Sequence, residues 1–476
     1  MPDIVIAILA ILFVLGVAIN IHEFGHFIVA KFFGMRVEAY SLFGLGPRVF
    51  GIKIGHTDYR VSAIPLGAYV KLYGDEATSS LEGGSSEKNV EKFMDERNIG
   101  EVAPEETEPA EVVPDSELYE LRPRWQKFLV MLGGPFMNIV LALTIPFTMA
   151  LIYGVPANPS PIVGFVKPAG AADVAGIKAG DRIVNFDGVE NPSWDRIQDD
   201  ALLVPEKEVP LIVERQGQRT SLKIKPTKVT ENGQSGGFLD MAPDAGTEPV
   251  VVGSIDATMP AAESGLQKGD WITSVNDKAI RNSQEMKIMV GESKDQPIKL
   301  AITRNNLRQE ITTHAVQKDG EWRIGIAFDP TLMASREPVG IVGAAGEAVN
   351  QNSRILRLTG KALGQVGTGE RSARDTVSGP IGIGQIIITT VFASGFIGLL
   401  SVLMAISLSL GVMNLLPIPM LDGGQIMVLG IEKVLSWFGK TLGMVAKERI
   451  QLTGLAIVLL LMVTVIFFDV SRIVSK

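Results

Sequence analysis

The sequence predicts an α-helical membrane protein. It has four transmembrane helices, a short-stranded β-sheet region behind the first, and two copies of a small α+β domain between the second and third. Three observations carry that prediction. The 476-residue chain has a mean hydropathy of +0.25, too apolar for an ordinary soluble enzyme and too polar for a bare helix bundle. Four apolar stretches reach bilayer length. The segment between the second and third repeats itself at a constant offset of 89 residues.

The apolar stretches run roughly 4–33, 128–153, 392–416 and 452–468. The first differs from a signal peptide: Met1-Pro2-Asp3 is not basic, the run is too long, and no small-x-small site precedes His22. It reads as a retained span. Lys31, Arg36, Arg48 and Lys53 follow it, and Arg122, Arg124 and Lys127 precede the second span. Lys433, Lys440, Lys447 and Arg449 separate the third from the fourth. The positive-inside rule puts all of these in the cytoplasm and both termini, with the repeated segment, outside it.

Inside the first span stands His22-Glu23-Phe24-Gly25-His26. Two histidines four apart share one helical face, about 40° from each other around the axis. Their ring nitrogens can converge on one zinc ion, and the glutamate between them can act on a zinc-bound water. Ionisable groups at membrane depth are costly and by default functional. A catalytic zinc usually takes three protein ligands, so a third must come from elsewhere. The third span ends in Asn414-Leu415-Leu416-Pro417-Ile418-Pro419-Met420-Leu421-Asp422-Gly423-Gly424. Two prolines cannot sustain a helix, and unwound backbone at membrane depth must face protein or a wet cavity. Asp422 is a carboxylate on that stretch, although Asp-Gly is also a common turn dipeptide.

Other segments read more simply. Residues 75–120 hold fifteen acidic and three basic residues, a local −12 that leaves the remainder of the net −8 chain at +4. With Pro104, Pro109 and Pro114 and few aromatics, this stretch reads as a disordered cytoplasmic loop. The chain has no cysteine, which excludes structural disulfides and thiolate zinc ligands. Ile52–Ile54, Tyr59–Ala63 and Ala68–Leu72 alternate like short strands broken by Gly55 and Pro65-Leu66-Gly67. His56 reads as a loop residue there and His314 as an ordinary one. Asn138, polar within the second span, reads as an interhelical hydrogen bond worth under ~1 kcal/mol. Residues 335–375 form an amphipathic segment suited to the outer membrane surface.

In the repeat, Gly180-Asp181 and Gly269-Asp270 each end a Pro/Ala/Gly-rich helical turn and open an alternating strand. The whole frame resembles circularly permuted PDZ domains of bacterial envelope proteases. That resemblance implies uptake of an extended peptide or C-terminus beside the sheet. Purely structural spacers are the plainer alternative. The division expected is 1–74, first span and β region; 75–124, acidic loop; 125–155, second span; 156–245 and 246–332, PDZ-like domains; 333–390, amphipathic linker; 391–476, third and fourth spans.

Taken together, the intramembrane H-E-x-x-H and the later Asn…Pro…Leu-Asp-Gly resemble the site-2 protease family of intramembrane zinc metalloproteases. The likeness extends from Ile4 to Phe468 and includes Ser378-Gly379-Pro380-Ile381-Gly382 before the third span. It implies Zn²⁺ held by His22, His26 and Asp422, Glu23 as general base, and Asn414 holding the substrate backbone. It also implies a β-sheet dipping into the membrane beside the site. The partners expected are the lipid bilayer of a bacterial inner membrane and single-span membrane proteins, such as anti-sigma factors or remnant signal peptides. Peptide C-termini at the PDZ-like domains and no nucleic acid complete that expectation. Two alternatives remain at this point: a catalytically silent PDZ scaffold, and a zinc transporter, which the single cluster of metal-binding residues disfavours.

Overall fold

The computed structural model describes residues 2–42, 44–64, 67–73, 113–156, 159–231, 234–244, 250–318, 321–328, 336–440 and 442–474. The acidic loop expected over 75–124 lies outside the described residues as far as position 112. Two compact units form, one from residues 1–145 with 400–464 and the other from 146–399 with 465–476. Among the described residues, four helices are long and apolar enough to cross a membrane: Asp3–Phe32, Arg124–Tyr153, Pro380–Asn414 and Val445–Arg472.

The first unit is held together by close backbone approach. A Cβ on Gly25 would overlap the carbonyl of Gly133, and one on Gly133 would overlap that of Gly25. Small residues at membrane helix contacts allow this, since lipid supplies no hydrophobic drive between helices. Gly411 also comes close to the second span, where a Cβ would stand only 3.0 Å from the Pro135 carbonyl oxygen.

Behind the first helix, β1 (Val37–Ser41), β2 (Leu45–Ile54), β3 (Thr57–Ile64) and β4 (Tyr69–Leu72) form a sheet in the order β2-β3-β1-β4. β1 runs parallel to β3 and antiparallel to β4. The ring of Phe27 stacks on Tyr40 at 4.8 Å and meets Tyr59 edge-on at 5.9 Å, which docks the sheet to the helix carrying the histidines. His56 occupies the exposed β2–β3 turn beside Gly55, whose φ of 62° suits glycine.

In the second unit the sequence repeat is also a repeat of structure. Ile183 pairs with Val213 in one copy and Ile272 with Ile302 in the other, both pairs offset by the same 89 positions. The first core gathers Phe186, Trp194, Ile197 and Leu211, and the second Ile272, Met286, Ile298 and Leu300. Each copy buries an aspartate under a forked arginine: Arg215 Nε and Nη2 reach Asp181 at 2.6 and 2.7 Å, and Arg304 reaches Asp270 at the same distances. The helix Ile341–Gly367 presents Arg354, Arg357 and Lys361 to the first copy. They meet the buried Asp199 and Asp200 at 2.7, 2.8 and 3.2 Å.

The third span departs most from its hydropathy. Its apolar run begins near Phe392, but the helix starts at Pro380, where a missing N–H costs nothing. Asp469, buried near the end of the last helix, accepts the N–H groups of Gly379, Ile381 and Gly382 at 3.0, 3.1 and 3.0 Å. Those are the orphan donors of a helix start. The helix then breaks at Gly395, with φ 59° and ψ −145°, a conformation glycine alone adopts cheaply. Residues 380–394 are therefore a separate helical piece where an amphipathic linker was expected to reach 390.

Candidate active site

Four-residue spacing on the first helix puts the His22 and His26 rings together, 4.8 Å between centroids and both buried. They lie over Gly134 of the second span, where a Cβ would collide with His26 Nε2 and the His22 ring. Glycine at 134 is what lets the second helix carry its backbone against the histidine face.

Asp422 arrives from the other side. The third helix ends at Asn414, and the chain runs without regular helix through Pro417 and Pro419 to Leu421. Asp422 then opens the helix Asp422–Trp437. Gly423 and Gly424 make this turn-back fit, because a Cβ at either would overlap the carbonyls of Leu415 and Ile418 respectively.

Three potential ligand side chains converge. His22 Nε2 lies 3.1 Å from Asp422 Oδ2, His26 Nε2 3.5 Å from Asp422 Oδ1, and the two Nε2 atoms 3.2 Å apart. One ligand atom from each of the three side chains lies within 4.8 Å of the others. Two nitrogens bound tetrahedrally at zinc distances stand ~3.3 Å apart, so the pair is already at metal-binding separation. His26 Nδ1 is 2.7 Å from the Val130 carbonyl. A carbonyl can only accept, so the ring proton sits on Nδ1 and the Nε2 lone pair is free. Asp422 Oδ2 is buried without a hydrogen bond. Such a set of convergent lone pairs and carboxylate suits a divalent cation, and the residues fit zinc.

Glu23 and Asn414 line the same cavity of about 320 Å³, with Val70 and Leu72 of β4 forming one wall. The Asn414 side-chain amide lies 3.3 Å from His22 Nε2. All five residues singled out by sequence thus stand around one cavity, and His56 and His314 are absent from it. Sequence reasoning missed the part played by Gly134; for Asn138 it expected an interhelical hydrogen bond, and the structure supplies the partners. That buried side chain lies 3.3 Å from His22 Nδ1 and beside the buried Ser407. Gly133-Gly134-Pro135 was the available signal, since glycines within a membrane helix mark close packing.

The chain is 28% identical to the regulator of sigma-E protease RseP of Escherichia coli, over 96% of this chain and 97% of that one. It is 26% identical to a Vibrio cholerae protein assigned as a zinc metalloprotease, over 99% of this chain and 100% of that one. A solved PDZ domain of an SdrC-like protein from Listeria innocua is 28% identical over 17% of this chain and 93% of its own, with a TM-score of 0.16. The description "Peptidase family M50" matches residues 10–461. The chain belongs to peptidase family M50, the site-2 protease family of zinc metalloproteases.

Proposed function

We propose that this multi-pass membrane zinc protease cuts single-span membrane proteins within or beside the bilayer, with His22, His26 and Asp422 holding the zinc. The observation that supports this reading is the convergence of those three side chains beside Glu23, with His22, Glu23 and His26 on a helix of membrane-spanning length. Bound zinc supplies a Lewis acid and lowers the pKa of water toward ~7. Glu23 takes the proton of the attacking water and delivers it to the leaving amine. Asn414, with an amide donor and an amide acceptor, holds the substrate backbone across the cavity.

A helical substrate hides its peptide bonds in its own hydrogen-bond ladder, so it must unwind before attack. β4 is an edge strand that lines the cavity with Val70 and Leu72, and an unwound segment can pair along it. Exposed Val49, Phe50, Ile52 and Ile54 on β2 suit a sheet that dips into lipid.

The two repeated domains are read as extracytoplasmic PDZ-like modules that limit access to substrates already shortened, of the anti-sigma-factor or remnant-signal-peptide type. The relatives' name, regulator of sigma-E protease, favours the anti-sigma-factor type. Chain order favours steric exclusion over peptide capture, because both copies are tethered between the second and third spans.

Glu23→Gln is the test. It is expected to keep one zinc per chain while losing cleavage of a reconstituted single-span substrate. Turnover at the wild-type rate in that variant rejects the mechanism.

A further inference from the structure

Both histidines send Nε2 toward Asp422 and Nδ1 toward the second span. For His26 the Nδ1 partner is a carbonyl, which fixes the ring proton there. For His22 it is the side-chain amide of Asn138, which has one donating and one accepting end. The choice of end decides whether His22 can bind metal. If Nδ2 donates to Nδ1, the proton of the neutral ring is driven onto Nε2, and the lone pair that must face the cation is gone. If Oδ1 accepts from Nδ1–H, Nε2 keeps its lone pair.

Ser407 resolves the choice. Its hydroxyl donates to the Asn138 main-chain carbonyl at 2.9 Å, and its oxygen lies 3.4 Å from the far end of the same amide. That oxygen therefore has lone pairs left to accept with. Turning the amide by 180° puts Oδ1 on His22 Nδ1 and Nδ2 on Ser407 Oγ. A chain of hydrogen bonds then closes: His22 Nδ1–H to Asn138 Oδ1, one Asn138 Nδ2–H to Ser407 Oγ, and Ser407 Oγ–H to the Asn138 carbonyl. Asn138 and Ser407 are both 0% exposed, so no water competes, and a mismatched polar group there is costly.

We propose that Asn138, held by Ser407, is a positioning residue that fixes the metal-binding tautomer of His22. The inference rests on reading His22, His26 and Asp422 as the zinc ligands. Partners of the non-ligating ring nitrogen typically govern metal affinity by 10–100-fold. The two variants that separate the roles are Asn138→Asp, which keeps an acceptor for Nδ1–H, and Asn138→Leu, which keeps only the volume.

The experiment measures zinc affinity of the full-length chain by chelator competition, in a Glu23→Gln background so that self-cleavage does not intervene. Histidine ¹⁵N resonances of the zinc-loaded protein are recorded in parallel. Asn138→Leu is expected to weaken zinc binding by at least about tenfold and to expose the His22 Nδ1–H to solvent exchange. Asn138→Asp is expected to stay within a few-fold of the parent and keep that proton protected. Ser407→Ala, which frees the amide to turn, is expected to fall between them and serves if the leucine variant does not fold. Parent-like zinc affinity and a protected Nδ1–H in Asn138→Leu overturn the proposal, as does an unchanged Ser407→Ala if the leucine variant is lost. Failure of the ligand reading itself looks different: the parent protein then binds no zinc, or His22→Ala binds it as well as the parent.

Discussion

At the scale of single residues, chemistry was legible wherever the spacing was local. His22 and His26 are four apart on one helix, and Asp422 announces itself through Pro417, Pro419 and the two glycines after it. Gly134 and Asn138 were not legible in the same way, because their importance comes from what packing brings against them. Gly134 makes a prediction at this scale. A methyl group there has the rings of His22 and His26 in its path, and overpacking of this kind typically costs about 1–3 kcal/mol. Gly134→Ala is therefore expected to lower zinc affinity by at least about tenfold, measured as zinc per chain after dialysis against a weak chelator. Full zinc content in that variant contradicts the close seating of the second span on the histidine pair.

Among the elements, hydropathy located the four long helices, but the start of the third needed knowledge of a residue some ninety positions away. Asp469 caps Gly379, Ile381 and Gly382, and no window over the third span contains it. β1 escaped notice for a similar reason: its parallel partner β3 is not its neighbour in sequence. The repeated copies were easier, since their Gly-Asp turns recur in register. The buried Asp181 of the first copy also makes stability depend on pH. Burial alone raises the Asp181 carboxyl, but the hydrogen bonds from Arg215 and the Lys178 N–H outweigh it and hold the group below its ordinary value. A depressed carboxyl stabilises the fold above its unfolded pKa of about 3.9. That stability fades as pH falls through the lower folded value. Arg215→Met is expected to reduce hydrogen-exchange protection of strands Arg182–Phe186 and Val209–Arg215 at neutral pH, with the gap from wild type closing well below pH 4. A gap that persists undiminished in acid assigns the loss to packing instead.

For the whole molecule, the sequence order places two repeated domains between the second and third spans, and the helix Ile341–Gly367 ties the first of them down through Asp199 and Asp200. If these domains act as a filter, removing residues 164–329 while keeping the spans lets the protease cut substrates with intact, folded ectodomains. Deletion that leaves those substrates uncut while short ones are still processed refutes the filter. The repeat and the metal motifs could be told apart in the sequence because they do not overlap. The central claim is that the peptide bond is broken inside a membrane span. Mass spectrometry of products from a single-span substrate, cleaved by the full-length protein in liposomes, tests it most directly. The cut is expected within the apolar segment and is expected to disappear with Glu23→Gln. A cut confined to the soluble flanks, or one that survives Glu23→Gln, contradicts it.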